Sequence, residues 1–241
     1  MKNILIIGAM EEEILPLVSD GNYTKHETKP YTYYEGISYG KKLIITVSQI
    51  GKVAMSSCVQ HFITFVANSD LFDEKKIDLV INMGVAGAIS GKLHQGDIVA
   101  ADKLCQHDMD VTGLGYEIGL NPDLPSVYID VRPLVIDAVK KAYDALSCDY
   151  ELQIGTIASG DQFISSKEKR DFISTHFDPL ACEMEGAALA QVCAANDVDF
   201  LVIRAISDMA DGEAPLSYND FKEKAIVNLT ELTKGTLKNI K

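Results

Sequence analysis

The 241-residue chain predicts an α/β fold: a single three-layer α/β/α domain built on a central mixed β-sheet. Two observations carry this. Short runs of Ile, Val and Leu alternate with segments of helical period through most of the chain, the pattern of strands covered by helices. Apolar residues make up 47% against 7% aromatics, with no Trp, which suits a core of branched aliphatic side chains. The length is enough for one well-covered core. No Pro/Gly/Ser-rich linker, internal repeat or low-complexity tract divides the chain, so residues 1–241 are expected to form one domain.

The elements follow in order. Residues 3–9 are a continuous aliphatic run, the mark of a buried strand. Glu11-Glu12-Glu13 then open a short helix, where the N-terminal dipole favours negative charge. Residues 31–39 alternate as a half-buried strand and 42–48 form another. Residues 52–67 place Val53, Met55, Val59, Phe62 and Val66 near helical spacing. A buried strand over 78–83 runs into a glycine-marked stretch, 84–91, which reads as a loop. Residues 96–101 predict a strand, and 112–127, rich in Gly and Pro, a loop. A helix over 133–146 carries Pro133 in its first turn, a position that needs no amide hydrogen. Residues 152–159 form a strand ending at Gly160-Asp161, 185–196 an Ala-rich helix, 200–207 a buried strand and 220–238 the closing helix. In such folds ligands gather beyond the carboxyl ends of the strands, so polar residues there are the candidates.

Charge and cysteine usage exclude several classes. A formal net charge of −13 would be repelled by a phosphate backbone, which excludes nucleic acid as a partner. Cys58, Cys105, Cys148, Cys182 and Cys193 show neither a C-x-x-C pair nor a metal-ligand spacing and read as reduced thiols. The first apolar run is short and meets three glutamates, unlike a secretory signal. No stretch approaches the ~18 apolar residues of a membrane span. The expectation is a cytoplasmic protein with no membrane partner.

Three strand exits carry acids: Glu11-Glu12-Glu13, the pair Glu183 and Glu185, and Asp208. Singly, each has an ordinary explanation as a dipole partner, turn or cap. Together they could serve a reaction that breaks a bond between a sugar and a base. That chemistry wants an acid at the base, a carboxylate to activate water, and a group to grip the ribose hydroxyls. It needs no cofactor and no metal.

Four motifs sharpen this. Ile7-Gly8-Ala9-Met10-Glu11-Glu12-Glu13, Ser159-Gly160-Asp161-Gln162-Phe163-Ile164, Glu183-Met184-Glu185-Gly186-Ala187 and Arg204-Ala205-Ile206-Ser207-Asp208 occur in this order. Together they closely resemble the bacterial methylthioadenosine/S-adenosylhomocysteine nucleosidases of the nucleoside phosphorylase superfamily. The resemblance runs nearly the whole chain, with an extra stretch around 65–73. It implies hydrolysis of the N-glycosidic bond of 5′-methylthioadenosine, S-adenosylhomocysteine and also 5′-deoxyadenosine. The products would be adenine with 5-methylthioribose or S-ribosylhomocysteine.

By the same resemblance Asp208 would be the general acid at adenine N7, steadied by Ser207. Glu13 would be the base that holds the attacking water, with Arg204 helping to order it. Glu185 would grip the ribose hydroxyls, with Met184 against the ribose and Glu183 among the substrate-binding residues. Phe163 would stack on adenine while the Ile164 backbone reads its edge. Met10, Ile50, Ala86 and Gly87 would complete the walls, and Tyr218 would lie over the thioribose. Leu114, Tyr116 and Pro122 fall in the loop that, in the family, enters a neighbouring subunit's site, so the resemblance also implies a homodimer.

Two positions depart from the family's pattern: Val85 replaces a serine, and Leu114 a phenylalanine near the sulfur substituent. Altered affinity or preference is expected, not lost chemistry. A phosphate-dependent nucleoside phosphorylase is the nearest rival. It needs a cradle of cations or amides for its anion, where the opening loop presents glutamates. Aminofutalosine is a further adenosine-bearing substrate to weigh. A dinucleotide-binding oxidoreductase would need G-x-G-x-x-G after the first strand, which Ala9-Met10-Glu11 excludes. A non-catalytic nucleoside-binding protein would have no need for Glu13 or Asp208. A cation held by Glu183, Glu185, His107 and Asp108 has no recognised ligand spacing behind it.

Overall fold

A computed structural model describes residues 2–72, 74–211 and 214–241, without the side chains of 214–222. The chain opens with β1 (Asn3–Gly8), all six residues buried, and α1 (Glu11–Ser19), with the acidic triplet in its first turn. A meander follows: β2 (Tyr23–Glu27), β3 (Thr32–Ser38) and β4 (Lys41–Val47). Then come α2 (Lys52–Ala67), β5 (Leu79–Ala88), β6 (Ile98–Gln106), a short 3-10 turn (Thr112–Leu114) and β7 (Ile129–Asp130). The second half holds α3 (Pro133–Asp144), β8 (Leu152–Ser159), α4 (Lys167–Phe177), β9 (Ala181–Glu183), α5 (Gly186–Ala195), β10 (Asp199–Asp208) and α6 (Ala214–Asn239).

Among the described residues the strands form one mixed sheet. β1 lies parallel to both β4 and β5, and β10 pairs with β5 in parallel and with β6 antiparallel. β6 also pairs with β8, and β8 with β9, so the sheet partly closes upon itself. Helices α1, α3 and α6 pack together on one side, α2 and α5 on the other. The buried aliphatics of β1, β4, β5 and β10 fill the space between. A smaller apolar cluster joins Ile164, Cys182 and Ala210 to Ile173 and Phe177 of α4. Among the described residues no helix is long and apolar enough to cross a membrane.

The topology makes one opening. On a single edge of β5, β1 pairs only as far as Asn82, and β9 joins only at Gly87 and Ala88. Between them the edge has no strand neighbour, and there the Val85 amide donates to Glu13 Oε1 at 3.2 Å. The stretch 84–91, expected to be loop, is therefore strand as far as Ala88. Its glycines mark close approach: a Cβ at Gly84 would lie 2.6 Å from Glu13 Oε1 and 2.8 Å from Arg204 Nη1. At Gly87 it would lie 2.8 Å from Asp208 Oδ1. Side-chain room, not a turn, explains both. The strand expected over 96–101 likewise begins at Ile98 and extends to Gln106, because β8 pairs with it on both sides of an irregularity at Asp102. The closing helix starts at Ala214, ahead of the expected 220.

Candidate active site

The opening leads into a cleft of about 200 Å³ at the carboxyl ends of β1, β5, β9 and β10. Glu13 reaches it from the first turn of α1. It is 3% exposed, and its Oε2 accepts the Ala9 and Met10 amides at 2.7 and 3.0 Å. The Met10 bond is the return half of a capping arrangement, in which the third helical residue reaches back to the cap. With Val85, three backbone donors hold this carboxylate. Burial nevertheless outweighs Arg204 and those amides and raises its pKa above the ordinary value.

Arg204 enters from the middle of β10 and is 1% exposed. Its Nη2 donates to Asn82 and to Glu183, and Glu185 lies 3.6 Å away. The Nε and Nη1 groups are buried without a protein partner among the described residues. Glu183 lines the cleft, but both its oxygens are engaged. They accept from Arg204, from the Ser159 hydroxyl, and from the amides of Glu185 and Gly186 at 2.8–3.0 Å. Burial pushes its proton affinity up, yet Arg204 and Ser159 prevail and hold it low. Its geometry is that of a scaffold for Arg204, not of a group with acceptors to spare for a ligand.

Glu185, the residue before α5, has a different balance. Its Oε1 accepts the Gly51 amide at 2.8 Å. Burial, then the charge of Glu183, pushes its pKa up to about 7 against the pull of Arg204 and that amide. A carboxyl that binds its proton more tightly folded than unfolded destabilises the fold as pH rises above about 4.5. The loss levels off above about 7, on the order of 3 kcal/mol. Glu185→Gln removes that titration. Its stability relative to the original protein should therefore climb between pH 5 and pH 8 in denaturant titrations. A constant difference at the two pH values would refute this balance.

Asp208 closes the far end of the cleft. It is 2% exposed, with Oδ2 accepting the Ser207 hydroxyl and Oδ1 the Ala210 amide, both at 2.9 Å. Burial is the main cause of its raised pKa, and Asp211 adds to it. A carboxyl group whose proton affinity is raised by burial is the type of group that can give its proton to a leaving base.

The cleft brings most of the expected residues together. Met10, Ile50, Ala86, Gly87, Phe163, Ile164, Met184 and Ser207 line it with the carboxylates. Phe163 is half exposed at its mouth, whereas Ile164 is buried in the wall. Arg204 lies behind the lining. Leu114, Tyr116 and Pro122 stand on the exposed segment after β6, outside this cleft. Tyr218 lies outside the described residues as far as its side chain is concerned. Sequence reasoning missed Ala9, Gln162 and Cys182 as lining. Cys182 carries no chemical signal in the sequence, and it is three-residue β9 that sets it in the cleft wall. The half-buried Val85 side chain also faces the cleft. The grouping of His107 and Asp108 with the two glutamates does not form: Asp108 is paired with Lys52 at 2.6 Å. Among the described residues no cluster of three or more His, Cys, Asp or Glu side chains is arranged to hold a metal ion.

Carboxylates gathered in a cleft at the strand exits of an α/β sheet mark the chain as an enzyme of acid–base chemistry. The phosphorylase superfamily model matches residues 3–238. A 5′-methylthioadenosine/S-adenosylhomocysteine nucleosidase of Staphylococcus aureus is 35% identical over 98% of this chain and 99% of its own. The nucleosidase of the same name from Neisseria meningitidis, solved with methylthio-immucillin-A, superposes with a TM-score of 0.90. It is 34% identical, with 99% of both chains covered. A futalosine hydrolase from Helicobacter pylori superposes at 0.88 with 31% identity, covering 98% of this chain and 97% of its own. The chain belongs to the phosphorylase superfamily and, within it, to the 5′-methylthioadenosine/S-adenosylhomocysteine nucleosidases.

Proposed function

We propose that this protein hydrolyses the N-glycosidic bond of 5′-methylthioadenosine and S-adenosylhomocysteine, and also of 5′-deoxyadenosine. It releases adenine with 5-methylthioribose, S-ribosylhomocysteine or 5-deoxyribose. The observation that carries the choice of water over phosphate is the charge of the cleft. Glu13, Glu183 and Glu185 surround one guanidinium among the described residues, Arg204, which Glu183 already engages. Phosphate at this place would meet an excess of negative charge, whereas neutral water meets a base.

In this reading adenine lies against Phe163, with the Ile164 backbone at its edge and Asp208 at N7. As the bond lengthens, the Asp208 proton passes to the base while Ser207 steadies the carboxylate left behind. Positive charge grows on the ribose, where the Glu185 carboxylate stabilises it and accepts hydrogen bonds from the hydroxyls. Glu13 takes a proton from water as the water oxygen attacks the sugar carbon, and the unpartnered N–H groups of Arg204 help to orient that water. Met10, Ile50, Ala86, Gly87 and Met184 supply apolar walls. The exposed Leu114, Tyr116 and Pro122 suit a segment completed by a second copy of the chain, so the active species is a homodimer.

The test is adenine release from methylthioadenosine by the purified protein, with and without phosphate. Release independent of phosphate, yielding free methylthioribose, supports the hydrolase. A phosphate requirement and a sugar 1-phosphate product would make it a phosphorylase. Futalosine belongs in the same assay because of the Helicobacter relative; cleavage of it alone would change the substrate but not the bond broken.

A further inference from the structure

Helix α2 has no side-chain cap of its own, and its N-terminus is bound by carboxylates from two distant segments. The Gly51 amide donates to Glu185 Oε1 at 2.8 Å, and the Lys52 amide to Asp161 Oδ1 at 2.8 Å. Gly51 has φ +100°, and a Cβ there would come within 3.0 Å of Asp161 Oδ1, so only glycine allows this approach. Asp161 is itself fixed. Its amide donates to Asp108 Oδ2 at 2.9 Å, and Asp108 Oδ1 pairs with Lys52 Nζ at 2.6 Å, closing a ring back to α2. Lys52 Nζ also donates to Gln106 Oε1 at 3.0 Å. Burial pushes the Asp108 carboxyl up, but Lys52 and the Asp161 amide overcome it and keep Asp108 charged.

The ring spans the two ends of the cleft. Asp161 stands two residues before Phe163 and three before Ile164, which form the base end. Gly51 holds Glu185, which forms the sugar end. We propose that Asp161 is a positioning residue that locks the base-stacking segment to the helix terminus holding Glu185. It touches no reacting atom; it fixes the distance between two groups that do. This rests on the nucleosidase reading for the reaction, but the link between base site and helix is a property of the geometry.

Removing the Asp161 carboxylate leaves the Lys52 amide without its acceptor, and the first turn of α2 loosens. Glu185 then loses the backbone donor that favours its charged form. The charged groups around it are Glu183 on β9, Arg204 on β10 and Glu13 on α1, and none replaces that donor. Proton affinity at Glu185 therefore rises further.

Asp161→Ala should lower kcat/KM for methylthioadenosine by about 10- to 100-fold, the scale of an ångström-sized misplacement. It should also move the acidic limb of the kcat/KM–pH profile to higher pH and weaken adenine binding in calorimetry. Asp161→Asn keeps an oxygen that can accept the Lys52 amide, and should restore the limb and the adenine affinity. A merely structural cap would lower the melting temperature and leave the limb where it was; that result overturns the proposal. If Asp161→Ala does not fold, Asp108→Ala frees the Asp161 amide while keeping the cap, and an adenine affinity equal to that of the original protein counts equally against the proposal. If the original protein releases no adenine, the nucleosidase reading fails. The coupling is then judged by adenine affinity alone, and equal affinity in Asp161→Ala sinks it.

Discussion

Asp208→Asn is expected to lower the rate of adenine release by about 10²–10⁴-fold while leaving the fold and the affinity for adenine intact. The substitution suits the site unusually well. The Asn oxygen can keep the Ala210 amide, which Asp208 Oδ1 now accepts at 2.9 Å. The Asn NH₂ can donate to Ser207 Oγ, whose own proton turns to the Ala86 carbonyl at 3.3 Å. No buried partner is orphaned, and a carboxyl that burial already penalises is gone. What disappears is the transferable proton: an amide can hydrogen-bond to N7 but cannot protonate a departing base. Single-turnover adenine release measures the loss, and calorimetry with free adenine checks the pocket. A wild-type rate in the folded variant would remove Asp208 from the role of acid.

Much of this arrangement was legible in the sequence because the acids stand where buried strands end. The runs at 3–9 and 200–207 announced β1 and β10; Glu13 ends the acidic triplet just past the first, and Asp208 directly follows the second. Other parts were hidden for physical reasons. The glycines of β5 read as a loop because their purpose is to make room for Glu13, Arg204 and Asp208, and that need arises only in three dimensions. β9 is three residues long, too short for any periodicity, yet it carries Glu183 and brings in Cys182. Helix α4 was not expected either: few of its residues are buried, although Ile173 and Phe177 support the wall behind Ile164. Glu183 and Glu185 look alike in the sequence, two residues apart on one motif. Partners separate them, since Glu183 faces Arg204 and Ser159 while Glu185 meets a backbone amide and its neighbour's charge. The shared motif placed both near the site; only packing shifted their proton affinities in opposite directions.

Glu13→Gln is expected to reduce adenine release by a similar factor, about 10²–10⁴-fold, but with a cost in stability that Asp208→Asn avoids. Glu13 accepts three backbone amides, those of Ala9 and Met10 on one oxygen and that of Val85 on the other. A glutamine has one oxygen, so in either orientation its NH₂ must face at least one N–H donor. Leaving a buried donor unmet costs about 1–3 kcal/mol. The rate must therefore be compared at conditions where both proteins are fully folded, judged by denaturant titration. The loss of a negative charge carries a second signature. Glu13 is one of the carboxylates that raise the proton affinity of Glu185, so its removal should shift the Glu185 titration to lower pH. A base acting on water predicts both effects together, a fall in rate and an acidic limb displaced downward. A displaced limb with an undiminished rate would keep Glu13 as an electrostatic neighbour of Glu185 and require another group to activate the water.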